Sequence, residues 1–335
     1  MILFCPVKSA RVNILFFDRP VKKSEYYIKF VKALLKAPYY RLLMRIFRPR
    51  NIMQKKYYVS ICAIFRDEGY YLKEWIEFHK IIGIEHFYLY NNFSQDNYLE
   101  VLAPYIQAGE VTLIDWPVPQ GQMSAYQDCF NKFRDETNWF AFIDIDEFIV
   151  PNKTDTIGDF LKPFELKRPA VLLYWRHFGA SGLISRDING LVVEDFKVCW
   201  KKYVNIGKIL FNTAYDLDVN DKHNVAMHHI AWGESSGKLL PPVNCFDRLV
   251  LCYAHAISSG DLPVQINHYV TKSYHEFFAR KIRYLARSYH ENPETSYITQ
   301  YFTNHNKKCQ ALDLHAYKYI IQLKLNMRGN KSDEL

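Results

Sequence analysis

The sequence of 335 residues lacks features that would indicate a membrane-spanning protein, a zinc site or an oxidising compartment. It has no uninterrupted apolar run of about 18 residues, so no segment is expected to cross a bilayer as a helix. Its seven cysteines are odd in number and scattered, and the closest two are separated by six residues, which is not a zinc-site spacing. We therefore expect free thiols and a cytoplasmic protein.

The sequence also lacks a uniform basic charge, although its formal net charge is +8. Residues 1–56 hold fourteen Lys and Arg residues and two acidic residues, a net charge of +12, so the remaining chain sums to −4. A nucleic-acid-binding protein would carry its basic surface on the body of the domain. We therefore expect no nucleic-acid partner.

The basic segment combines its cations with apolar residues at helical spacing between residues 24 and 47. Pro38 is expected to break this pattern into two helices. A basic amphipathic pair is typical of proteins that bind an anionic membrane surface, here as a peripheral protein on the inner face of the membrane. The alternative is a helical hairpin that packs on the main domain and turns its basic face to solvent.

From residue 57 onwards, β-branched and aromatic runs alternate with amphipathic segments. The pattern predicts strands at 57–65, 86–90, 111–115 and 139–143, and helices at 68–82, 98–108 and 123–136. This order favours an α/β fold with an open, mostly parallel, Rossmann-like sheet flanked by helices. Further strands are predicted at 170–175, 191–198 and 265–269, with a helix at 272–290. The predicted units are a basic segment, 1–56, a main domain, 57–290, and a helical tail, 291–335.

Three carboxylates follow the fourth predicted strand, in the sequence FIDIDEF at 142–148. Asp144, Asp146 and Glu147 would lie at the carboxyl edge of the sheet, where open α/β sheets bind ligands. Adjacent carboxylates repel one another, and Mg²⁺ or Mn²⁺ would relieve that repulsion while bridging to substrate phosphates. In an extended strand Asp144 and Asp146 share one face, so we predict that these two approach the metal and that Glu147 points away.

Polar residues also follow the first two predicted strands. Arg66 and Glu68 follow the first strand and would face the same edge of the sheet, although acids there equally suit a helix N-terminus. Asn92, Ser94 and Asp96 follow the second strand. Their short side chains can bond a ribose or a base, and they are equally ordinary turn residues.

Taken in order, these segments resemble glycosyltransferases of the type-A (GT-A) fold, most closely family 92 and its bacterial relatives. The matching segments are 66–68, 72–79, 82–87, 90–96, 122–129, 139–149, 175–182 and 266–273. The resemblance leaves out residues 1–56, the tail after 290 and much of 183–260. It departs from the family pattern at 66–68, which read RDE where KNE is expected.

The resemblance implies a metal-dependent, inverting transfer of a hexose from a nucleotide-sugar to a glycan or lipid-linked acceptor. The implied donor is a UDP-hexose, often UDP-galactose. Asp144 and Asp146 would hold Mn²⁺ or Mg²⁺ against the donor diphosphate. The other residues that it places on the donor side are Arg66, Glu68, Asn92, Ser94, Asp96 and Gln122.

Type-A folds commonly add a late histidine as a metal ligand. His268 is our choice for this role, and His229 is the alternative. Lys272, at the start of the next predicted helix, either contacts a phosphate of the donor or is an ordinary solvated lysine.

An inverting transfer needs a general base that takes the proton of the acceptor hydroxyl. The sequence does not single out one residue for this role. Glu194 and Asp195 are our candidates, while Glu147 and Asp187 remain open.

Two other classes of protein are compatible with the acidic motif. A nucleotidyltransferase or an aspartyl phosphatase would also bind phosphates through a metal. However, no glycine-rich loop follows the first predicted strand, and the acids follow the fourth strand rather than the first. The second alternative is a non-catalytic, membrane-associated binding module, which the intact pair Asp144 and Asp146 disfavours.

Overall fold

A computed structural model describes residues 14–17, 23–49, 54–187, 189–204, 206–217, 229–253, 261–288 and 295–328. The β-strands of this part are β1 Ile14–Phe17, β2 Tyr57–Phe65, β3 His86–Asn91, β4 Val111–Asp115, β5 Thr137–Phe142, β6 Glu147–Pro151, β7 Ala170–His177, β8 Val198–Trp200, β9 Gly207–Asn212, β10 Asp216–Leu217, β11 Gly233–Ser235, β12 Lys238–Leu240, β13 Val243–Asn244, β14 Leu249–Tyr253, β15 Val264–His268 and β16 Cys309–Leu312. The α-helices are α1 Lys23–Ile46, α2 Gly69–Ile81, α3 Tyr98–Gln107, α4 Gln122–Phe133, α5 Ile157–Leu161, α6 Val192–Asp195, α7 Tyr274–Ser288, α8 Thr295–Lys307 and α9 Ile320–Arg328.

One large sheet organises the molecule, in the strand order β1-β14-β13-β7-β9-β5-β2-β3-β4, with β15 paired to both β6 and β7. The run β5-β2-β3-β4 is parallel throughout. β9 lies antiparallel between β5 and β7, so β7 runs in the same direction as β5. The α/β fold with an open, mostly parallel sheet flanked by helices is thereby confirmed.

The central strands are apolar because both of their faces are covered. Side chains of β2, β3 and β5 such as Ile61, Tyr88 and Phe140 are fully buried in one continuous core. A parallel strand that is buried on both faces reads as a near-continuous apolar run. The carboxyl ends of β2, β3, β4, β5, β7 and β15 therefore lie along one edge of the sheet, and the loops that follow them build the site described below.

Helix α1 differs from the prediction because it continues through Pro38. A proline inside a helix removes one backbone hydrogen bond and costs about 3 kcal/mol. Packing offsets this cost, since Ala37 is buried beside the proline and Met44 is buried one turn or more further on. None of the described helices combines the length and the apolar character needed to cross a bilayer.

The prediction of one strand over residues 191–198 was wrong. Residues 192–195 form α6, and only 198–200 are extended, as β8. The cause is a distant carboxylate: Glu74 accepts hydrogen bonds from the backbone N–H groups of Val192 at 2.7 Å and Val193 at 3.1 Å. A carboxylate at this position satisfies N–H groups of the first helical turn and favours the helix.

The described C-terminal residues pack on the rest of the chain. β16 pairs antiparallel with β8, and α9 lies against α2. Lys73 of α2 donates a hydrogen bond to the carbonyl of Met327 at 2.9 Å, and Asn326 donates one to Glu77 at 3.0 Å. The tail thus covers one side of α2, the helix that carries Glu74.

Candidate active site

The acidic motif lies in the turn that joins β5 to β6. The N–H of Glu147 donates a hydrogen bond to the carbonyl of Asp144 at 3.1 Å, which closes the turn. Asp146 and Glu147 are buried, and Asp144 is partly exposed. The predicted position of the three carboxylates at the carboxyl edge of the sheet agrees with the structure.

A buried lysine from β9 neutralises two of these carboxylates. The ammonium of Lys208, only 1% exposed, lies 2.8 Å from Oδ2 of Asp144 and 3.2 Å from Oε2 of Glu147. Burial alone would lower the pKa of Lys208, but the two carboxylates outweigh burial and raise it. The expectation that Glu147 points away from Asp144 was wrong, because the chain turns at this point and both side chains reach Lys208.

Asp144 is held from its other side by α4. Gln122 donates a hydrogen bond to Oδ1 of Asp144 at 2.7 Å, and the hydroxyl of Tyr126 lies 3.3 Å from the same oxygen. Gln122, which the resemblance placed on the donor side, is therefore in direct contact with the acidic motif. Both oxygens of Asp144 already have partners in this structure.

Asp146 faces a different set of cations. Arg280 of α7 donates a hydrogen bond to Oδ2 at 2.7 Å, and Nε2 of His268 lies 3.5 Å from Oδ1. Burial would raise the pKa of Asp146, but the charges of His268, Arg280 and Lys272 outweigh it and hold the pKa well below its usual range. The lowered pKa keeps Asp146 ionised at neutral pH.

His268 and His229, the two histidines proposed as a late ligand, occupy different surroundings. The pKa of His268 is raised, because Asp146 and Glu147 outweigh the effect of burial. Nδ1 of His229 donates a hydrogen bond to the carbonyl of Gly207 at 2.7 Å, and burial lowers its pKa to about 4. Of the two, His268 is the one whose ring nitrogen faces Asp146.

Glu68 and Lys272 complete the cluster on the side of α2 and α7. Burial raises the pKa of Glu68 to about 7, while nearby Lys272 opposes the rise. The ammonium of Lys272 lies over the ring of Tyr71, 4.0 Å from its centroid, and the side chain is buried. Lys272 is therefore a buried cation beside Asp146, which excludes its description as an ordinary solvated lysine.

The loops after β2 and β3 bind each other through the residues predicted there. Ser94 accepts a hydrogen bond from the N–H of Asp67 at 3.0 Å, and Asp96 accepts one from the N–H of Gly69 at 2.7 Å. Asn92 donates to the carbonyl of Trp116, at 2.8 Å, in the loop after β4. These contacts give the three side chains a structural role in the loops. Contact with a nucleoside would be a second role.

The guanidinium of Arg66 lies over the ring of Phe93, 5.2 Å from its centroid. The contact joins the same two loops, because Arg66 follows β2 and Phe93 follows β3. An arginine in this position presents a cation at the carboxyl edge of the sheet.

Strained backbone conformations gather at this edge of the sheet. Five of the non-glycine residues with positive φ each lie in the loop after one of the strands β2, β3, β4, β7 and β15. They are Asp67, Phe93, Gln120, Ser181 and Lys272, with φ between 50° and 60°. Such conformations are costly outside glycine and cluster at functional sites.

Aromatic and imidazole rings line the other side of Asp146. The rings of Trp175 and His177 lie 4.8 Å and 5.1 Å from that of His268, and Trp200 lies 4.8 Å from His177. Both ring nitrogens of His177 and the indole nitrogen of Trp175 are buried and have no hydrogen-bond partner. Enclosed polar atoms of this kind are satisfied by a ligand or by water in most proteins.

Two of the candidate general bases, Glu194 and Asp195, are paired with cations. Glu194 accepts a hydrogen bond from Lys324 at 2.5 Å, and Asp195 lies 3.3 Å from Arg186. Asp187 accepts a hydrogen bond from the N–H of Asn189 in a local turn. Arg186 connects Asp195 to Glu276 at 3.0 Å, and Glu276 in turn is bonded to Ser273, next to Lys272.

The donor set fits a divalent cation that is shared with a substrate. Within the described ranges no three His, Cys, Asp or Glu side chains are arranged as a metal site. Mg²⁺, however, is commonly held by one or two protein carboxylates together with substrate phosphates and water. Oδ1 of Asp146 and Nε2 of His268, 3.5 Å apart, would offer one carboxylate and one imidazole ligand on the same side.

Lys208 and Arg280 are two charged residues of the candidate site that the sequence prediction missed. Lys208 carried a signal in the sequence. It is the single charged residue in the otherwise apolar or neutral strand GKILFN. An isolated lysine in a buried strand must have a partner, because burying an unpaired ammonium is costly. That signal could have indicated Lys208, but not which carboxylates it meets.

Comparison with known proteins gives a consistent result. Residues 55–224, half of the chain, match the sequence model of glycosyltransferase family 92. A family 92 protein of Oryza sativa subsp. japonica is 31% identical over 115 residues, covering 34% of this chain and 20% of the rice protein. The beta-1,4-galactosyltransferase galt-1 of Caenorhabditis elegans is 34% identical over 110 residues, covering 28% of this chain and 26% of its own. The matched part thus spans about a quarter or less of these relatives.

Among solved structures, S. aureus TarS in complex with UDP matches with a TM-score of 0.33 and 11% identity, over 47% of each chain. Glucosyl-3-phosphoglycerate synthase from Mycobacterium tuberculosis, in complex with Mn²⁺, UDP and its product, matches with a TM-score of 0.27 and 14% identity, over 48% of this chain and 52% of its own. The family assignment rests on the sequence match and not on these two structures.

Proposed function

This chain belongs to glycosyltransferase family 92, and from that premise we propose that it transfers a hexose from a nucleotide-sugar, a UDP-sugar such as UDP-galactose, to a glycan or lipid-linked acceptor. The observation that carries the proposal is the pairing of Asp146 with His268 at the carboxyl edge of the sheet. The sequence relatives support the choice of donor, since galt-1 is described as a beta-1,4-galactosyltransferase.

The cations around Asp146 suit a departing nucleoside diphosphate. Lys272 and Arg280 are both within the electrostatic reach of Asp146 and would also attract the donor phosphates. Asp146 and His268, with Asp144 as a further candidate, would hold Mn²⁺ or Mg²⁺. A bound cation would stabilise the negative charge that develops on the leaving diphosphate.

Asp144 has a separate role in this proposal. Gln122 and Lys208 fix both of its oxygens, so its carboxylate is oriented before any donor arrives. A pre-oriented side chain lowers the entropy lost when the donor binds. We assign Asp144 to positioning the donor, together with the loops that carry Arg66, Glu68 and Asn92; Ser94 and Asp96 support those loops.

The acceptor would approach from the side of Trp175 and His177. Sugars stack on aromatic rings and donate hydrogen bonds through their hydroxyls, and here aromatic faces occur together with unpartnered ring nitrogens. For an inverting transfer, Glu194 and Asp195 remain our proposed bases. Asp195 is favoured of the two, because Arg186 and Glu276 connect it towards Lys272.

A cytoplasmic location and contact with an anionic membrane surface are part of the same proposal. Within the described residues, all cysteines that are assigned a state are free thiols: Cys62, Cys129, Cys199, Cys245 and Cys309. Free thiols suit a reducing compartment. The net charge of +12 on residues 1–56 supports the membrane contact.

Donor hydrolysis tests the proposal. Purified protein is incubated with UDP-, GDP- and CMP-sugars, with Mn²⁺ or with EDTA, and released nucleotide is quantified. We expect metal-dependent release from one donor, lost in Asp146→Asn and retained in Asp155→Asn, a change at an exposed aspartate. If the wild type shows no nucleotide release and no metal-dependent nucleotide binding, the transferase proposal is overturned. Release that persists in Asp146→Asn would overturn the assignment of the site.

A further inference from the structure

The outward side of α1 carries a continuous apolar stripe. Six large side chains on this side are between 51% and 75% exposed. They recur at intervals of three and four residues, so they share one face of the helix. These side chains are Ile28, Val31, Leu35, Tyr39, Leu42 and Ile46. An apolar stripe of this length is not expected to remain in contact with water.

The opposite side of the same helix already has a partner. Ala33, Ala37 and Met44 are buried in the core, and the ring of Tyr40 packs edge-on against Trp232 at 5.5 Å. α1 also lies against β1 and β12. The helix is thus apolar on two opposite faces, of which the inner one is fixed to the body of the protein.

Cations flank the outer stripe on both sides. Lys32 and Lys36 are exposed along one border, and Arg41 and Arg45 along the other, as their positions in the helical repeat require. No acidic residue occurs between Glu25 and 67 in the sequence. An apolar stripe between two basic borders is the pattern of a helix that lies in a membrane interface.

The basic border that Arg41 and Arg45 form adjoins a small cavity. Arg41 and Arg45 line it together with Arg168, and its volume is about 160 Å³. Asp247 also lines this cavity and pairs with Arg168. Arg41 and Arg45 add two further positive charges to its lining. The cavity lies at the border of the stripe, where an anionic headgroup would lie if the stripe were inserted between lipids.

We propose that the outer face of α1 binds the surface of an anionic lipid bilayer and holds the body of the protein against it. A second copy of the chain is the less suitable occupant, because two such helices would bring their basic borders together without any acidic partner. Interfacial helices bury their apolar face in the boundary between headgroups and acyl chains. Tyr39 within the stripe fits the preference of tyrosine for that boundary.

The inference deepens the membrane contact proposed above by assigning it to the outer face of α1. It rests on that part of the proposed function and not on the transfer reaction. If the acceptor is lipid-linked, docking through α1 would concentrate the enzyme where the acceptor is. Vesicle binding is measured without donor or acceptor, so its failure leaves the transferase proposal untouched. Equally, a failure of donor hydrolysis leaves the membrane inference untouched.

Flotation of the full-length protein with lipid vesicles tests the inference. The probes are vesicles of phosphatidylcholine alone and of an equimolar mixture with phosphatidylglycerol. We expect binding to the anionic vesicles only, weakened about tenfold or more in Val31→Ser/Leu35→Ser and in Lys32→Glu/Lys36→Glu, since both the apolar and the charged contribution are needed. The control is Ile321→Ser/Leu325→Ser, an equally exposed pair at the same spacing on α9.

Circular dichroism should show the same unfolding temperature for all of these variants, because the changed side chains are exposed. Equal binding of wild type and Val31→Ser/Leu35→Ser to anionic vesicles would overturn the inference, as would equal binding of the wild type to both lipid mixtures. Light scattering after gel filtration measures the molar mass and so tests whether a second copy of the chain covers the stripe. A dimer that Val31→Ser/Leu35→Ser converts to a monomer, without vesicle binding by the wild type, would assign the stripe to a second copy instead.

Discussion

The ammonium of Lys208 lies 2.8 Å from the carboxylate of Asp144, at the point where antiparallel β9 passes beside β5. The same ammonium reaches Glu147, so one buried cation serves two carboxylates. The acidic motif is therefore partly neutralised by the protein itself. Asp146 lies on the other side of the motif, where its partners are His268 and Arg280 instead.

Replacing Lys208 by methionine should destabilise the fold strongly. The change keeps an unbranched side chain that is one atom shorter but leaves Asp144 and Glu147 without their cation. Breaking a buried pair in this way costs about 3–5 kcal/mol. Chemical denaturation in the presence of EDTA measures the free energy of unfolding. Lys201→Met, at an exposed position directly after β8, is the matched control. A loss below about 1 kcal/mol would mean that the pair is not maintained in solution.

Replacing His268 by alanine should separate metal-dependent from metal-independent nucleotide binding. If Nε2 of His268 is a ligand, the affinity for UDP in Mn²⁺ should fall by about 10–100-fold, the effect typical of changes around a metal site. The affinity for UDP in EDTA should be unchanged. Calorimetric titration under both conditions gives the comparison, with the exposed His275→Ala as control. An equal loss under both conditions would assign His268 to direct nucleotide contact.

His79 should make the protein less stable in acid. Its Nδ1 donates a hydrogen bond to the carbonyl of Trp75 at 2.7 Å, and its Nε2 accepts one from the N–H of Ile149 at 3.2 Å. Burial lowers the pKa of His79 to about 3. In the unfolded chain, His79 becomes protonated as the pH falls below about 6.5, whereas in the folded chain it stays neutral down to about pH 3. The stability contributed above pH 6.5 is therefore lost as the pH falls from 6.5 towards 3.

The variant His79→Gln isolates this effect, because glutamine does not titrate. Its free energy of unfolding should fall with decreasing pH less steeply than that of the wild type, by up to about 1.4 kcal/mol per pH unit between pH 6 and 4. Denaturation curves at several pH values provide the slopes. Parallel slopes for the two proteins would show that His79 is protonated in the folded state.

Gln120 tests the strain stored in the loops around the site. Its φ is 53°, and its side chain is exposed in the loop after β4. Glycine adopts this conformation freely, so Gln120→Gly should raise the free energy of unfolding by about 0.5–1 kcal/mol. Gln120→Val should lower it, because a β-branched side chain fits this region of backbone space poorly. If both variants lower the stability equally, contacts of the glutamine side chain outweigh its backbone strain.

The parallel half of the sheet was predictable because its signals are local. Strands β2 to β5 are short apolar runs separated by amphipathic helices, and the acids follow the last of them in the sequence. Each helix returns the chain to the edge of the sheet where the strands begin, so the strands run parallel and end at the opposite edge. The location of Asp144 and Asp146 followed from that pattern alone.

The parts that could not be predicted depend on contacts between distant residues. α6 forms because Glu74 satisfies its first N–H groups, from 118 residues away in the sequence. The position of Lys208 depends on β9 running antiparallel between two strands of the opposite direction. Neither the helical pattern nor the alternation of side chains carries such information. The continuity of α1 through Pro38 likewise comes from packing against the body and not from propensity.

The strand β15 pairs with both β6 and β7 and delivers His268 to the acidic turn. During synthesis the ribosome completes β5 and β6 long before it reaches β15 and α7. At a synthesis rate of about 5–20 residues per second, several seconds pass between the synthesis of the acidic motif and that of His268, Lys272 and Arg280. In that interval the nascent chain presents a carboxylate cluster whose late counterions do not yet exist. A chain released between β9 and β15 would contain Lys208 for Asp144 and Glu147, but Asp146 would lack both His268 and Arg280.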